Sequence, residues 1–267
     1  MNKLSIFTTM TNPEDRKDPW KEALNCYEEL SDEVIVVGED WPEEFEWDYI
    51  GKTFQNGFNK CSGDWVIRMD LDYFFHEKDF SYIRKFLKKN INSPAVAFPQ
   101  YQFFTPDRFQ VKTKICIALN KKYYPEIKLN GGGDLCMPTL DSKLLINSDM
   151  PQAKIPLFQY DSMFRTKEII ASDRARFARA WHSYFGEWGD RGGASDEEAF
   201  NAWFEMIESR YKLHTNRMNI DKHPKFIQEK LLNLDRKQFG FNAFGLKNTT
   251  NRKFSDYLRG YKNRYID

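Results

Sequence analysis

Two aspartates separated by a single residue follow a short apolar segment in the first third of the chain. The segment WVIRMDLDYFF covers residues 65–75 and places Asp70 and Asp72 directly after the apolar run. In an extended chain, side chains at positions i and i+2 point the same way, so the two carboxylates are predicted to converge just past the end of a strand. Such oxygen donors suit Mg²⁺ or Mn²⁺, which commonly bridges a protein to the phosphates of a ligand.

The alternative is that these aspartates are solvated loop residues, since this spacing arises by chance in many sequences. Their position after a predicted buried strand favours a functional site, because open α/β sheets bind ligands at the carboxyl ends of their strands. Arg68 lies two residues before Asp70, on the same predicted strand face. The sequence leaves two readings open for Arg68: a positive charge that helps to bind a ligand, or a structural counter-ion to the aspartates.

Three apolar segments alternate with helical patterns in this part of the chain. The strand candidates are LSIFTTM (4–10), VIVVG (34–38) and WVIRMD (65–70), and an amphipathic helix with its start signal at Pro19 separates the first two. This alternation predicts βαβ units and a mainly parallel sheet, and therefore the α/β fold class. Further along, Pro99 interrupts an apolar run and predicts an edge or bent strand there.

The second part of the chain is predicted to be helical. Long helical patterns begin after residue 162, and Ser195 with Glu198 forms a capping box at the start of one of them. The residues predicted to line one face of that helix are Phe200, Trp203, Phe204 and Ile207. We expect a core domain over residues 1–161 and a helical part over residues 162–267 that packs on it.

Composition excludes several classes of protein. With 267 residues, 16% aromatic and 30% charged, the chain can bury a substantial core and is not disordered. No apolar run is long enough for a membrane-spanning helix, so we expect a cytoplasmic protein without a membrane span. The first 79 residues are acidic and the remainder basic, without the overall basic excess of a dedicated nucleic-acid binder. Four scattered cysteines predict buried, reduced thiols: Cys26, Cys61, Cys116 and Cys136.

The segments LSIFTTM, VIVVGED and FQNGFNKCSGDWVIRMDLDYFF together resemble the nucleotide-binding half of GT-A fold glycosyltransferases, similar to the family 2 type. The resemblance covers about residues 3–75. It implies a GT-A, Rossmann-like architecture and a metal-dependent transfer of a sugar from a nucleotide-diphosphate sugar to an acceptor hydroxyl, with inversion at the sugar. The Asp-x-Asp pair is then the metal-binding motif of the family.

The resemblance also implies roles for individual residues. The end of the first strand, Thr8 and Thr9, and the acid after the second, Asp40 or Glu39, would contact the nucleoside. Asp70 would hold the ribose or share the cation, and Asp72 would ligate the Mn²⁺ or Mg²⁺ that bridges the diphosphate. The chain departs from the family after the second strand, where GEDWPEE stands in place of the frequent serine-rich turn, which leaves the nucleobase contact open.

An inverting transfer needs a base that deprotonates the acceptor hydroxyl. Asp134, in the segment LNGGGDLC, is our candidate, because the three preceding glycines permit close approach of a ligand. The alternative is a plain glycine turn with a helix-capping aspartate. Glu126 and Asp141 are weaker candidates for the base.

A third metal ligand is expected from the later part of the chain. Asp161, at the end of the segment PLFQYD, is our candidate, with Gln159 and His182 as alternatives. Arg165 and Lys167 would offset the diphosphate charge, or they are solvated residues of a first helical turn. His182 also belongs to an aromatic stretch with Trp181, Tyr184, Phe185 and Trp188, which we interpret as core with a rim able to stack on a sugar.

The sequence leaves the acceptor and two rival functions open. A soluble glycan or a protein hydroxyl is the expected acceptor, and a hydroxylated DNA base is a further candidate because residues 247–267 are basic and aromatic. A nucleotidyltransferase also uses an acid pair, but the segment TTMTNPEDRKDPW lacks the glycines normal after its first strand. The other rival is a non-catalytic module that binds sugar nucleotides or glycans.

Overall fold

The computed structural model describes residues 3–130, 138–214 and 216–248, which form a mixed α/β structure. The strands of this part of the chain are β1 Leu4–Thr9, β2 Glu33–Val37, β3 Trp65–Arg68, β4 Tyr73–Phe74, β5 Ala95–Thr105, β6 Arg108–Leu119, β7 Thr139–Leu140, β8 Lys143–Leu144, β9 Leu157–Gln159 and β10 Asn216–Arg217. Its α-helices are α1 Trp20–Leu30, α2 Trp47–Lys60, α3 Phe80–Lys89, α4 Lys167–Phe185, α5 Asp196–His214, α6 Lys225–Leu232 and α7 Phe239–Asn242.

The main sheet has the strand order β2-β1-β3-β6-β5-β9-β4, with β10 beside β6. β1 is parallel to β2 and to β3, and Thr9 pairs with Val37 while Phe7 pairs with Arg68. These three strands confirm the predicted parallel arrangement of the first third of the chain. β6 joins the other side of β3 in the antiparallel sense, with Val66 opposite Leu119.

Of the two alternatives predicted for the strand that contains Pro99, the edge strand is wrong, and the bent strand stays a prediction. β5, which contains Pro99, lies between β6 and β9 in the sheet. β9 has only three residues, and Ala97 of β5 exchanges hydrogen bonds of 2.9 and 2.8 Å with the backbone of Pro151 and Ala153 in a loop. Pro99, which has no N–H, is tolerated in β5 because the hydrogen-bond ladder on the β9 side of this strand is short and interrupted by a loop.

The chain divides into two compact units, each made of several segments. The first unit comprises residues 1–100, 113–158 and 224–227 and holds β1–β4 and α1–α3. The second unit comprises residues 101–112, 159–223 and 228–267 and holds α4, α5 and α7. The boundary expected after residue 161 stays a prediction.

The second unit has an aromatic core built from α4, α5 and α7. Phe200, Trp203 and Ile207 of α5 are buried against Ile170 of α4 and Phe239 of α7. This confirms the apolar face predicted for α5.

The predicted capping box of α5 is present as well. The Ser195 hydroxyl accepts a hydrogen bond from the Glu198 N–H at 3.3 Å, while the Glu198 carboxylate accepts from the Ser195 N–H at 3.1 Å. Two N–H groups that the first helical turn leaves without intrahelical partners are thereby satisfied.

Glu33 ties the amino-terminal ends of β1, β2 and β3 together. Its carboxylate accepts hydrogen bonds from the Ser5 hydroxyl at 2.5 Å and from the N–H and hydroxyl of Ser62 at 2.7 Å each. The Ser5 hydroxyl in turn accepts from the Gly63 N–H at 2.8 Å. A Cβ at Gly63 would lie 2.5 Å from that same hydroxyl oxygen, so glycine is required for this close approach.

We expect Glu33 to stabilise the fold at neutral pH and to lose this effect in strong acid, where its carboxylate is protonated. Burial raises the pKa of Glu33, but hydrogen bonds from Ser5 and Ser62 outweigh burial and lower it from 4.5 to about 2. Because the folded pKa lies below the unfolded one, the stabilisation is complete above about pH 4.5 and is lost as the pH falls towards 2. Urea unfolding of wild type and Glu33→Gln between pH 7 and pH 3 should show a stability gap that narrows below about pH 4.5. Glu126→Gln, at an exposed position, is the matched control, and a gap of constant size would contradict the linkage.

The described cysteines Cys26, Cys61 and Cys116 are buried free thiols, as predicted. Cys136 lies outside the described residues. Among the helices of the described segments, none is both long and apolar enough to cross a membrane.

Candidate functional site

The carboxyl ends of β1, β2 and β3 meet at one edge of the sheet in the first unit. The parallel registers bring Thr9 beside Val37 and Phe7 beside Arg68. The residues that follow β2 and β3 therefore emerge at this same edge, which places Asp40 and the Asp70–Asp72 turn (residues 70–73) on the side where open α/β sheets bind ligands.

The Asp70–Asp72 turn is held by a buried tyrosine. The Tyr73 N–H donates to the Asp70 carbonyl at 2.8 Å, and the hydroxyl of Tyr27, on α1, lies 2.6 Å from the Asp70 carbonyl and 3.0 Å from the Tyr73 carbonyl. Leu71 is buried, whereas Asp70 and Asp72 are partly exposed. The turn thus anchors its backbone and its apolar residue while both carboxylates reach solvent.

The Tyr27 hydroxyl is a hydrogen-bond donor throughout the ordinary pH range. Tyr27 is fully buried. Burial, followed by the nearby thiol of Cys26 and the negative charges of Asp72 and Asp70, raises the pKa of Tyr27 well above its usual value. The hydroxyl therefore keeps its proton and shares it between the two carbonyls of the turn.

Arg68 pairs with Asp70. The Arg68 guanidinium donates to the two Asp70 carboxylate oxygens at 3.1 and 3.3 Å, and its carbon lies 4.8 Å from the centre of the Phe54 ring. The Arg68 side chain is only 4% exposed, compared with 24% for Asp70. A guanidinium so deeply buried requires an anionic partner, so this pair fixes the orientation of the Asp70 carboxylate. A contact of Arg68 with a donor stays a prediction.

The two threonines at the end of β1 differ in exposure. Thr8 is fully buried, and its hydroxyl oxygen has no hydrogen-bond partner among the described residues. Thr9 is partly exposed. Because successive side chains of a strand point to opposite faces, only Thr9 presents its hydroxyl at the surface of this edge. Contact of either threonine with a nucleoside stays a prediction.

The loop after β2 carries an aromatic cluster beside Asp40. Gly38 ends the strand with a φ of 84°, a left-handed conformation that glycine adopts without strain. Asp40 is exposed, and its carbonyl accepts a hydrogen bond from the Tyr49 hydroxyl at 3.2 Å. The Trp41 ring contacts Phe45 and Tyr49 edge-on at centroid distances of 5.5 and 5.2 Å. The sequence pointed to the acid at this position but not to the cluster that fixes its loop.

The remaining site candidates fall in other parts of the chain. Asp161, Arg165 and Lys167 belong to the second unit, and Asp134 lies outside the described residues. Both carboxylate oxygens of Asp161 accept hydrogen bonds from Arg174 at 3.3 Å. Asp161 thus already has a cationic partner, and its role as a metal ligand stays a prediction.

Arg165 and Lys167 are engaged within the second unit. The Arg165 guanidinium lies 2.9 Å from the Asp173 carboxylate, and the Lys167 ammonium lies 4.7 Å from the centre of the Phe200 ring. Gln159 is buried and accepts a hydrogen bond from Lys112 at 3.4 Å. None of these contacts tests the predicted role in binding a diphosphate.

The Asp70–Asp72 turn fits a divalent cation only if a bound ligand and water supply the remaining donor atoms. In the described segments of the chain, no group of three or more His, Cys, Asp or Glu side chains is arranged to hold a metal ion. Mg²⁺ is commonly bound through one or two carboxylates and the phosphates of a substrate, with water in the other positions. Two partly exposed carboxylates match that donor set.

Solved structures of TarS from S. aureus are similar to this chain. One TarS structure aligns with a TM-score of 0.39 and 11% sequence identity, covering 71% of this chain and 45% of the TarS chain. TarS residues 1–349 in complex with UDP-GlcNAc align with a TM-score of 0.40 and 12% identity, covering 98% and 91% of the two chains. The complex of the same TarS residues with UDP gives a TM-score of 0.35 and 11% identity at the same coverage.

This chain thus spans 45% of the length of the longer TarS chain. At these TM-scores and identities, the similarity carries no conclusion about the activity of this chain. No protein-family model and no curated protein matches the chain in sequence.

Tyr27 is the site residue that sequence reasoning missed. Its helical spacing assigned it to the buried face of α1, and it is indeed buried there. Its hydroxyl bonds to carbonyls that lie 43 and 46 residues further along the chain, and no local sequence pattern reveals such a contact. The one available signal was its polar hydroxyl on an otherwise apolar face, because a buried hydroxyl requires a partner.

We expect Tyr27→Phe to loosen the Asp70–Asp72 turn. The change removes the shared proton from two buried carbonyls, which costs about 1–3 kcal/mol in the free energy of unfolding. Affinity for Mn²⁺ with a nucleoside diphosphate should fall in parallel, as measured by calorimetry. Tyr123→Phe, at a position 54% exposed, is the matched control and should change neither quantity. Equal unfolding free energies for wild type and Tyr27→Phe would show that the hydroxyl does not hold the turn.

Proposed function

We propose that this chain is a glycosyltransferase that moves a sugar from a nucleotide-diphosphate sugar to an acceptor hydroxyl. The observation that carries this proposal is the pair of partly exposed carboxylates, Asp70 and Asp72, in a turn anchored at the carboxyl edge of three parallel strands. An anchored acid pair at this edge is suited to a phosphate-bearing ligand with a divalent cation. The resemblance of residues 3–75 to GT-A enzymes supports the same donor class.

Asp70 and Asp72 would hold Mn²⁺ or Mg²⁺ together with the diphosphate of the donor. When bound, such a cation stabilises the negative charge that develops on the departing diphosphate. Arg68 orients the Asp70 carboxylate, and the Tyr27 hydroxyl holds the backbone on both sides of the acid pair. These two residues act on the site by positioning, since both are buried.

Other residues would bind the nucleoside and activate the acceptor. Thr9 ends β1 and Asp40 follows the adjacent β2 at the same edge, and they offer a hydroxyl and a carboxylate for a ribose or a base. Asp134 would accept the proton of the acceptor hydroxyl as that oxygen attacks the sugar, with inversion. We propose a soluble acceptor, a glycan or a protein hydroxyl, with a hydroxylated DNA base as the further candidate.

UDP-GlcNAc, the ligand in one of the TarS structures, belongs to the donor class that we propose here. The proposal itself depends on the residues of this chain. The base and the sugar of the donor are to be found by experiment.

Thermal shift with a panel of nucleotide sugars, each with and without Mn²⁺, tests the donor first. A donor that binds the folded state raises the melting temperature by mass action, and the rise should require the cation. Release of the nucleoside diphosphate in the presence of pooled glycan acceptors then measures transfer. Release of pyrophosphate from a nucleoside triphosphate and a sugar phosphate would instead identify a nucleotidyltransferase, and donor binding without release would identify a binding module.

A further inference from the structure

Five aromatic rings lie together at the carboxyl end of α4 and in the turn that follows it. We call this group the aromatic platform; its members are Trp181, His182, Tyr184, Phe185 and Trp188. α4 ends at Phe185, and Gly186 closes it in a left-handed conformation with a φ of 76°, its N–H donating to the His182 carbonyl at 2.8 Å. This helix end is a well-formed cap rather than a frayed one.

The rings of the platform pack on one another in fixed pairs. The centroids of Trp181 and Phe185 are 3.9 Å apart, and His182 stacks on Trp188 at 4.0 Å with only 14° between the ring planes. Tyr184 contacts Phe185 edge-on at 4.8 Å. Tyr184 and Phe185 are therefore held by ring contacts, and a preorganised pair of this kind loses little conformational entropy when a ligand binds.

The platform is attached to the second unit on one side and open on the other. Trp188 packs against the buried alanines of α4 and α5, and the Arg191 guanidinium lies 3.4 Å from the centre of the Trp181 ring. In contrast, Tyr184 is 57% exposed and Phe185 is 46% exposed. Phe200 and Trp203 of the neighbouring α5 are instead buried in the core, so the two exposed rings at the end of α4 are the ones that a ligand can reach.

The polar groups around the platform select among possible ligands. Glu187 and Asp190 are exposed beside the rings, and the Asp190 carboxylate contacts Arg191 at 2.9 Å while its side chain remains 83% exposed. Together with the paired Arg191, these two carboxylates leave the platform without a net positive charge, which disfavours anionic lipid headgroups and nucleic acid, and carboxylates accept hydrogen bonds from hydroxyl groups. A neutral sugar combines both requirements, since it offers apolar C–H faces to aromatic rings and hydroxyls to carboxylates.

We propose that the aromatic platform is a binding site for a neutral oligosaccharide, with Tyr184 and Phe185 as its stacking residues and Asp190 as a hydrogen-bond acceptor. That this oligosaccharide is the acceptor of the transfer rests on the proposed function. The binding itself does not depend on that function.

Titration of the full chain with chitotetraose, cellotetraose, maltotetraose and mannotetraose, followed by tryptophan fluorescence and calorimetry, tests the site. We expect at least one of these tetrasaccharides to bind, and the double variant Tyr184→Ala/Phe185→Ala to bind it about tenfold more weakly or worse. The matched control is Leu232→Ala/Phe241→Ala, which removes two other exposed apolar side chains of the second unit, 68% and 42% exposed. Asp190→Asn should weaken binding as well.

Three results would overturn the proposal. They are no binding of any of the four tetrasaccharides, equal losses in the platform and control variants, and binding of the platform to phosphatidylcholine vesicles in place of the sugars. The assay contains no nucleotide sugar, so its outcome is independent of the Asp70–Asp72 turn. If the platform variant shows normal transfer with an unchanged KM for the acceptor, the platform is not the acceptor site, but the proposed function stands. If the wild-type chain binds the sugar but catalyses no transfer, the proposed function is wrong, but the binding site stands.

Discussion

Asp72→Asn should lower sugar transfer by about 10³-fold or more while leaving the fold intact. The carboxylate lies partly exposed in a turn whose backbone is held by Tyr27 and Tyr73, so the substitution removes a charge from the site without opening the core. Loss of a cation that stabilises the leaving diphosphate costs several kcal/mol of transition-state stabilisation, which corresponds to that factor. Turnover is measured by release of the nucleoside diphosphate at saturating Mn²⁺.

Asp149→Asn is the matched control for this change, because Asp149 is an exposed aspartate of the same unit. Its turnover and melting temperature should equal those of wild type. If Asp72→Asn retained full activity, or if wild-type activity survived EDTA, the metal-dependent mechanism would be excluded.

The second large effect is expected at Asp134. As the proposed general base, Asp134 would contribute about 10²-fold or more to turnover, and Asp134→Asn removes its capacity to accept a proton. The dissociation constant of the nucleotide sugar should stay the same, because the base acts on the acceptor. Measuring turnover and donor binding on the same preparation separates the two effects.

Two substitutions serve as comparisons for Asp134→Asn. Glu126 and Asp141 are the other acids considered for this role, and both are exposed. Glu126→Gln and Asp141→Asn should each retain nearly full turnover. A normal rate in Asp134→Asn, with a loss in one of the other two variants, would transfer the role of the base to that residue.

Local features of this fold were predictable from the sequence. α1 begins after Pro19 and α5 is capped by Ser195 and Glu198, as their signals indicated, because a helix and its cap depend on residues a few positions apart. The parallel arrangement of the first three strands also followed, since strands that alternate with helices form βαβ units. The position of Asp70 and Asp72 just after β3 follows from the local sequence, because the apolar run of that strand ends directly before them.

Contacts between distant segments could not be predicted in the same way. The Tyr27 hydroxyl contacts a carbonyl 43 residues away along the chain. Likewise, β6 pairs with β3 although β4, α3 and β5 lie between them in the sequence. For Arg68 the sequence allowed two interpretations, because its spacing from Asp70 permitted either a ligand contact or an ion pair. Only the three-dimensional structure reveals that the guanidinium is buried, which fixes the ion pair.

The antiparallel docking of β6 against β3 has a consequence for the folding of the chain during synthesis. β1, β2 and β3 are complete before β6 is made, so the backbone edge of β3 at Val66 and Ile67 is unpaired for that interval. An apolar edge of this kind can pair with another chain, and nascent or overexpressed protein is vulnerable to aggregation there. The strand that leads into the acid pair is therefore also the strand whose edge stays unpaired until β6 is synthesised.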